Sequence, residues 1–195
     1  MLTLCIDTAY KYLTCALIKD EKIIASYSKE CFKKQSEEVF NALDQIFKEA
    51  NIEKKDIDSI CVSEGPGSYT GVRIAMTIAK TIGELFNIDV YTISTLKLYA
   101  GNKENVMVLM DARANRAYVG IYDKETIILQ DCAIELEKIN KENYCIIGDG
   151  SLIGLQDNYL NIDECFLNTK NSWKKVEQIA YLTPKYLKES DSYYR

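Results

Sequence analysis

The chain has 195 residues, 47% of them apolar and 27% charged, with a formal net charge of −5. That length can bury a real core at the border between one and two domains. The acidic balance argues against unaided binding to a nucleic-acid backbone, which needs clustered Lys and Arg.

Histidine is absent. Its absence excludes Ser-His and Cys-His nucleophile pairs, histidine zinc sites and the HExxH helix together. Carboxylate acid–base chemistry, and phosphoryl transfer that needs positioning and Mg²⁺, survive this test. The seven cysteines form no CxxC, and Cys5, Cys15, Cys61 and Cys145 lie in apolar runs, where Cys serves as a small hydrophobe. The lysine pairs at 33–34, 54–55 and 174–175 have acidic neighbours and read as solvated faces.

In chain order, the opening MLTLCID reads as a strand rather than a signal peptide, and no run is long enough to span a bilayer. A cytoplasmic protein with no membrane partner is expected. LCIDTAYKYLTCALIKDEKII (4–24) reads as three antiparallel strands joined by tight turns. Residues 36–50 place Val39, Leu43, Ile46 and Ala50 on one helical face. A strand, DSICVSE, then leads into the glycine-rich stretch SEGPGSYTGVRI (63–74) and a long helical pattern ending near Phe86.

VLMDARANRAYVGIYDKETII (108–128) lies over residues 4–24 without a gap and repeats their strand–turn pattern, with Asp111 under Asp7. CAIELEKINKEN is expected to hold a shorter helix, and YCIIGDGS (144–151) a strand. A last helix is expected over 172–188. The order βββαβ therefore occurs twice, which points to duplication. A duplicated unit of this kind resembles the actin-like (ASKHA) α/β fold: two lobes with mixed sheets flanked by helices. The first lobe is taken as 1–99, joined by helix 172–188, and a reduced second lobe as 100–171.

In that fold the facing hairpins carry an Asp followed closely by Gly, so that phosphates can approach bare backbone N–H groups. Here they read D-T-A-Y-K-Y and D-A-R-A-N-R-A-Y, with no glycine in either. An Asp that ends a strand is an ordinary turn former, the preferred reading for Asp7 and Asp111. The glycine-rich stretch also fails as a phosphate loop. Gly71 is followed by Val rather than Lys, and Gly65, Gly67 and Gly71 are spaced one residue too long for a dinucleotide turn. Gly65-Pro66-Gly67 makes a sharp turn instead, Ser68 or Thr70 can cap the helix, and Arg73 stands near for an anion contact.

In the helix, Gly71, Ala75, Ala79 and Gly83 form a flat ridge at every fourth position, with Val72, Met76 and other apolar residues around most of the remaining circumference. Such a helix is buried on several sides, by an internal neighbour or by a partner.

GPGSYTGVRIAMTIAKTI, TISTLKLYA, DARANRAYVGIY, CIDTAYKYLTCALI and LTPKYLKES together resemble the TsaB (YeaZ) family, in the family's order and over most of the chain. The resemblance implies a role in making threonylcarbamoyladenosine in tRNA, as a non-catalytic paralogue of the transferase TsaD. It implies pairing with a TsaD-like transferase through first-lobe helices, help in recruiting a TsaE-like ATPase, and contact with tRNA only through the complex. The donor is then made by a separate enzyme, TsaC.

On this reading no residue is catalytic, no metal is held, and ADP or ATP is at most a ligand at a partner interface. Val39, Phe40, Leu43 and Phe47, with Gly71, Val72, Ala75, Met76, Ala79 and Gly83, are the expected interface, which would also make a homodimer when no partner is present. Gly65, Pro66, Gly67, Ser68, Thr70 and Arg73 shape the loop. The chain departs from the family in carrying Gln35 at a usual His, Asn41 near a usual Pro, Ala75 for a frequent Gly, and a short second lobe.

The rival of another class is an actin-like kinase or ATPase with Asp7, Asp111 and Asp149 around Mg-ATP. A peptidase lacks a visible nucleophile–base pair.

Overall fold

The computed structural model describes residues 1–31 and 34–187. Alternating apolar residues build β1 (Leu2–Asp7), β2 (Tyr12–Lys19) and β3 (Lys22–Glu30), an antiparallel meander. Helix α1 (Gln35–Ala50) follows and ends on Asn51 in the left-handed region at φ 50°, a common helix stop. Strand β4 (Ser59–Ser63) pairs parallel to β1. Next come α2 (Tyr69–Phe86), β5 (Asp89–Ile93), parallel to β4, and a short α3 (Thr95–Ala100).

The second meander is β6 (Val106–Arg113), β7 (Arg116–Asp123) and β8 (Thr126–Glu135), and β9 (Cys145–Gly148) pairs parallel to β6. Helix α4 (Ile162–Asn168) and the two-residue β10 (Lys174–Lys175), antiparallel to β5, complete the elements used below. The two sheets run β10-β5-β4-β1-β2-β3 and β8-β7-β6-β9. The orders β3-β2-β1-β4 and β8-β7-β6-β9 match in sequence and direction, so the duplication read from the sequence is present in the topology. The chain is a mixed α/β protein of the actin-like type, with two mixed sheets flanked by helices.

The alignment of the two halves nevertheless changes. Leu2, Leu4 and Ile6 of β1 face the core under α1, while in β6 it is Met107 and Leu109 that face the corresponding crossover side. Side chains alternate across a strand, so equal faces imply an odd offset between the copies. Asp7 and Asp111 are therefore not equivalent: Asp7 is fully buried and Asp111 is exposed.

Two expected helices are absent. Cys132–Glu135 stay in β8, paired with β7, and only a 3-10 turn at Leu136–Lys138 follows. The helix expected over 172–188 is replaced by β10, a 3-10 turn at Ile179–Tyr181 and an irregular run to Leu187; residue 188 lies outside the described residues. Pairing of Lys174 and Lys175 with β5 fixes an extended backbone there. Thr183-Pro184 then blocks helix continuation, because Pro lacks an N–H and disfavours helical geometry in the residue before it.

One face of the first sheet buries Val39, Leu43, Ile46 and Phe47 of α1 and Ala75, Ile78 and Ala79 of α2. Each large apolar side chain there contributes about 1.5–3 kcal/mol by its removal from water. The other face shares a core with the second sheet through α3 and α4, joining Cys5, Cys61 and Ile93 to Val108, Tyr122 and Phe166.

Candidate functional site

The cleft between the first hairpin and the second sheet is the place to test for a nucleotide site. Asp7, at the end of β1, is closed off from ligand. Its carboxylate accepts from Ser63 Oγ at 2.5 Å, from the Ala9 N–H at 3.0 Å and from the Tyr99 phenol at 3.0 Å. Burial raises its pKa above the ordinary value, and these hydrogen bonds only partly offset the shift.

Asp149, at the end of β9, is filled from the opposite side. The phenols of Tyr10 and Tyr159 donate to it, Lys11 Nζ lies at 2.5 Å, and the Asp111 N–H donates at 2.8 Å. Lys11 also reaches Asp157 at 3.4 Å. Burial works against the Lys11 charge, but the hydrogen bond and charge of Asp149 prevail and hold the ammonium above its ordinary pKa. Burial and the Asp149 carboxylate both push the Tyr10 phenol up, so it stays a donor.

Tyr10 and Lys11 occupy the hairpin positions where a phosphate cradle would carry glycine. Asp111 meets Asp149 through its backbone N–H, and among the described residues no three acidic or thiol side chains converge in a metal-holding group. The absence of hairpin glycine was legible in the sequence. Tyr99 and Tyr159 gave no sequence signal.

The glycine-rich stretch is equally occupied by the chain's own backbone. A Cβ on Gly71 would collide with the Thr8 carbonyl, and one on Gly65 would lie 2.5 Å from the Lys185 carbonyl oxygen. Gly65 also has φ +101°, a conformation other residues rarely adopt. Ser68 caps α2, its Oγ accepting from the Gly71 N–H at 3.2 Å, and its own N–H donates to the Ala9 carbonyl. Thr8 Oγ bridges the Gly71 carbonyl at 2.6 Å and the Ala75 N–H at 3.1 Å. Pro66 is buried, while Gly67 approaches the Ala9 carbonyl. The loop sets the entry of α2 against β1 and presents no free cradle.

The small-residue ridge faces inward, a correction to its expected role as an outward surface. Ala75 and Ala79 are fully buried in the first-sheet core, and a Cβ on Gly83 would lie 2.5 Å from Val90. The small side chains let α2 sit close on its own sheet. Val72 and Met76 are covered by Ala9 and Leu182. Leu43 and Phe47 are likewise buried under α1.

What remains outward is a groove of about 380 Å³ between α1 and α2. Val39 and Ile78 lie deepest in it; Phe40, 64% exposed, and Tyr69, 50% exposed, rise at its sides. Ser36, Thr70, Arg73, Ile74 and Thr77 complete it. The Arg73 guanidinium donates to the Tyr69 phenol oxygen at 3.0 Å and lies 5.2 Å from its ring. Val39, Phe40, Thr70 and Arg73 were expected at functional positions; Ser36, Tyr69, Ile74, Thr77 and Ile78 were missed, although Thr70, Ile74, Thr77 and Ile78 recur at three- and four-residue steps on α2.

Three comparisons bear on this arrangement. The family model described as TsaD: tRNA N6-adenosine threonylcarbamoyltransferase matches residues 23–185. The tRNA threonylcarbamoyladenosine biosynthesis protein TsaB of Bacillus subtilis is 32% identical over 134 residues, covering 67% of this chain and 58% of that protein. Its namesake in Buchnera aphidicola subsp. Schizaphis graminum is 28% identical over 164 residues, covering 75% and 78%. The chain thus spans little more than half of the Bacillus relative. YeaZ from Pseudomonas aeruginosa shares the fold at a TM-score of 0.78 and 19% identity, covering 95% of this chain and 99% of that one. Among the described residues no helix is long and apolar enough to cross a membrane. The TsaD-described family model covers most of the length, and the curated TsaB relatives and the YeaZ fold agree with it: the chain belongs to the family that joins TsaD with TsaB/YeaZ.

Proposed function

We propose that the protein is a scaffold subunit of the machinery that makes threonylcarbamoyladenosine in tRNA, with no chemistry of its own. It works in the cytoplasm, pairs with a TsaD-like transferase, helps recruit a TsaE-like ATPase, and meets tRNA through the complex. The observation that carries this reading is the apolar groove between α1 and α2, edged by Phe40 and Tyr69 on an otherwise acidic protein. Exposed aromatics around an apolar floor are the composition of a protein-docking surface. The first lobe, 1–99 with the C-terminal segment, carries that face; the second, 100–171, closes the cleft. The same groove serves self-association when the partner is lacking. A nucleotide, if bound, sits at the partner interface, because the cleft of the lone chain is filled by Tyr10 and Lys11.

The test is retention of the TsaD-like protein of the same cell by tagged wild type and by Phe40→Glu and Ile74→Glu. Retention by wild type with loss in both variants, at unchanged melting temperature, supports the docking face. A wild type that retains no such protein overturns the reading. A variant pair that retains it as wild type does moves the interface elsewhere. Tight binding of Mg-ATP by the lone chain would favour the kinase reading instead.

A further inference from the structure

Arg73 is the only charged residue that lines the groove between α1 and α2. The chain gives it no counter-charge there: among the described residues its guanidinium makes no ion pair. The first turn of α2 carries no acid, and Glu37 and Glu38 in the first turn of α1 are not part of the lining. The start of a helix adds positive potential of its own. The spot is therefore positive on a chain with 29 acidic and 24 basic residues.

That charge is also held in place. The guanidinium donates to the Tyr69 phenol oxygen at 3.0 Å and lies 5.2 Å from the ring, and Tyr69 is itself stacked on Tyr186, centroid to centroid 5.4 Å and 21° from parallel. A long side chain fixed beforehand loses less freedom on binding. The planar fork has five N–H groups, enough to keep the Tyr69 bond and still meet a carboxylate bidentately. An apolar floor around a single cation suits a protein carboxylate, whereas a nucleic-acid backbone calls for several cations.

We propose that Arg73 is the specificity-determining residue of the groove: it takes an Asp or Glu side chain presented on an apolar face of the partner, and it disfavours a second copy of this chain. The proposal rests on the groove being the docking face. A second copy set groove to groove brings apolar surface but no carboxylate in its lining. Each Arg73 is then desolvated without a counter-charge, which selects against that pairing. An acidic partner turns the same cation into a charge-assisted contact.

The test uses the full chain as wild type, Arg73→Met and Arg73→Lys, with the TsaD-like protein as titrant in calorimetry at low and high salt. Arg73→Met should dock more weakly, on the order of tenfold, and with a shallower salt dependence. Arg73→Lys should fall between, because it keeps the charge and loses the fork. In sedimentation of the chain alone, Arg73→Met should self-associate more tightly than wild type. Melting temperatures should stay together, since Arg73 is exposed. Unchanged affinity in Arg73→Met overturns the proposal while the docking reading stands. Weaker docking with an unchanged salt dependence overturns it too, since Arg73 would then act by packing alone. Self-association no tighter in Arg73→Met overturns the selection against a second copy. Salt-sensitive capture of tRNA by the lone wild type, lost in Arg73→Met, would assign the cation to phosphate instead. If wild type binds no TsaD-like protein, the docking reading fails and the carboxylate contact falls with it.

Discussion

The phenol of Tyr10 donates to the carboxylate of Asp149, 139 positions later in the chain. That bond ties the first hairpin to the second sheet through a cleft that actin-like enzymes keep open for phosphates. Lys11 joins the same carboxylate with an ion pair whose aspartate is only 3% exposed. Asp149→Asn would leave the Lys11 ammonium without its main partner in a half-buried setting. We expect a loss of about 3 kcal/mol in urea unfolding, the lower end of the range for breaking a buried pair, and no gain of Mg-ATP binding by calorimetry.

Asp7 gives a pH signature of defined sign. Its folded pKa lies above the ordinary value of 3.8, first because of burial. A carboxyl with a raised folded pKa contributes most stability below the unfolded value, and that contribution is lost as pH rises toward the folded value. Asp7→Asn removes the charge. The melting-temperature difference, variant minus wild type, should be smallest below about pH 4 and grow in favour of the variant toward about pH 7. A difference that is flat, or that falls with pH, would show that Asp7 is not destabilised in its charged form.

The inward ridge separates fold from docking. Ala79 has no exposed surface, so Ala79→Trp should abolish the cooperative melt rather than selectively block a partner. Gly71→Ala forces a methyl group against the Thr8 carbonyl and should cost about 2–3 kcal/mol as overpacking, read by urea denaturation. Phe40→Glu, on the groove side, should leave the melting temperature within about a degree of wild type, as exposed substitutions generally do.

Thiol reactivity should follow burial. Burial pushes Cys5, Cys15 and Cys61 well above the ordinary thiol value, and Cys165 up to about 12, with Asp163 and Glu164 adding to it. Cys145 is exposed. With an aromatic disulfide reagent at mildly alkaline pH, Cys145 should react first and these four only on unfolding, because the thiolate is the reactive form. Fast labelling of Cys61 in the native protein would contradict the packing of β1 against β4.

The elements with strong period or strong punctuation were legible in the sequence: two meanders, a helix over 36–50, a cap for α2 at Ser68 or Thr70, of which the structure uses Ser68, and the duplicated strand order. The hairpins without glycine were legible there too, and pointed away from a phosphate cradle. These features are local, set by alternation, helical spacing and backbone chemistry within a few residues. Tertiary structure alone decided which side of α2 is inside. A helix apolar nearly all round does not say which neighbour it meets, and small residues suit a close-lying sheet as well as a close-lying helix. It also decided the fate of the C-terminal segment, where pairing of β10 with β5 and the close approach of the Lys185 backbone to Glu64 and Gly65 override helical spacing. The Asp149 cluster was decided in the same way. Tyr10 and Lys11 come from the turn of the first hairpin, Asp149 from the end of β9 and Tyr159 from the segment before α4, and only the closing of two sheets around α3 and α4 brings their polar atoms together.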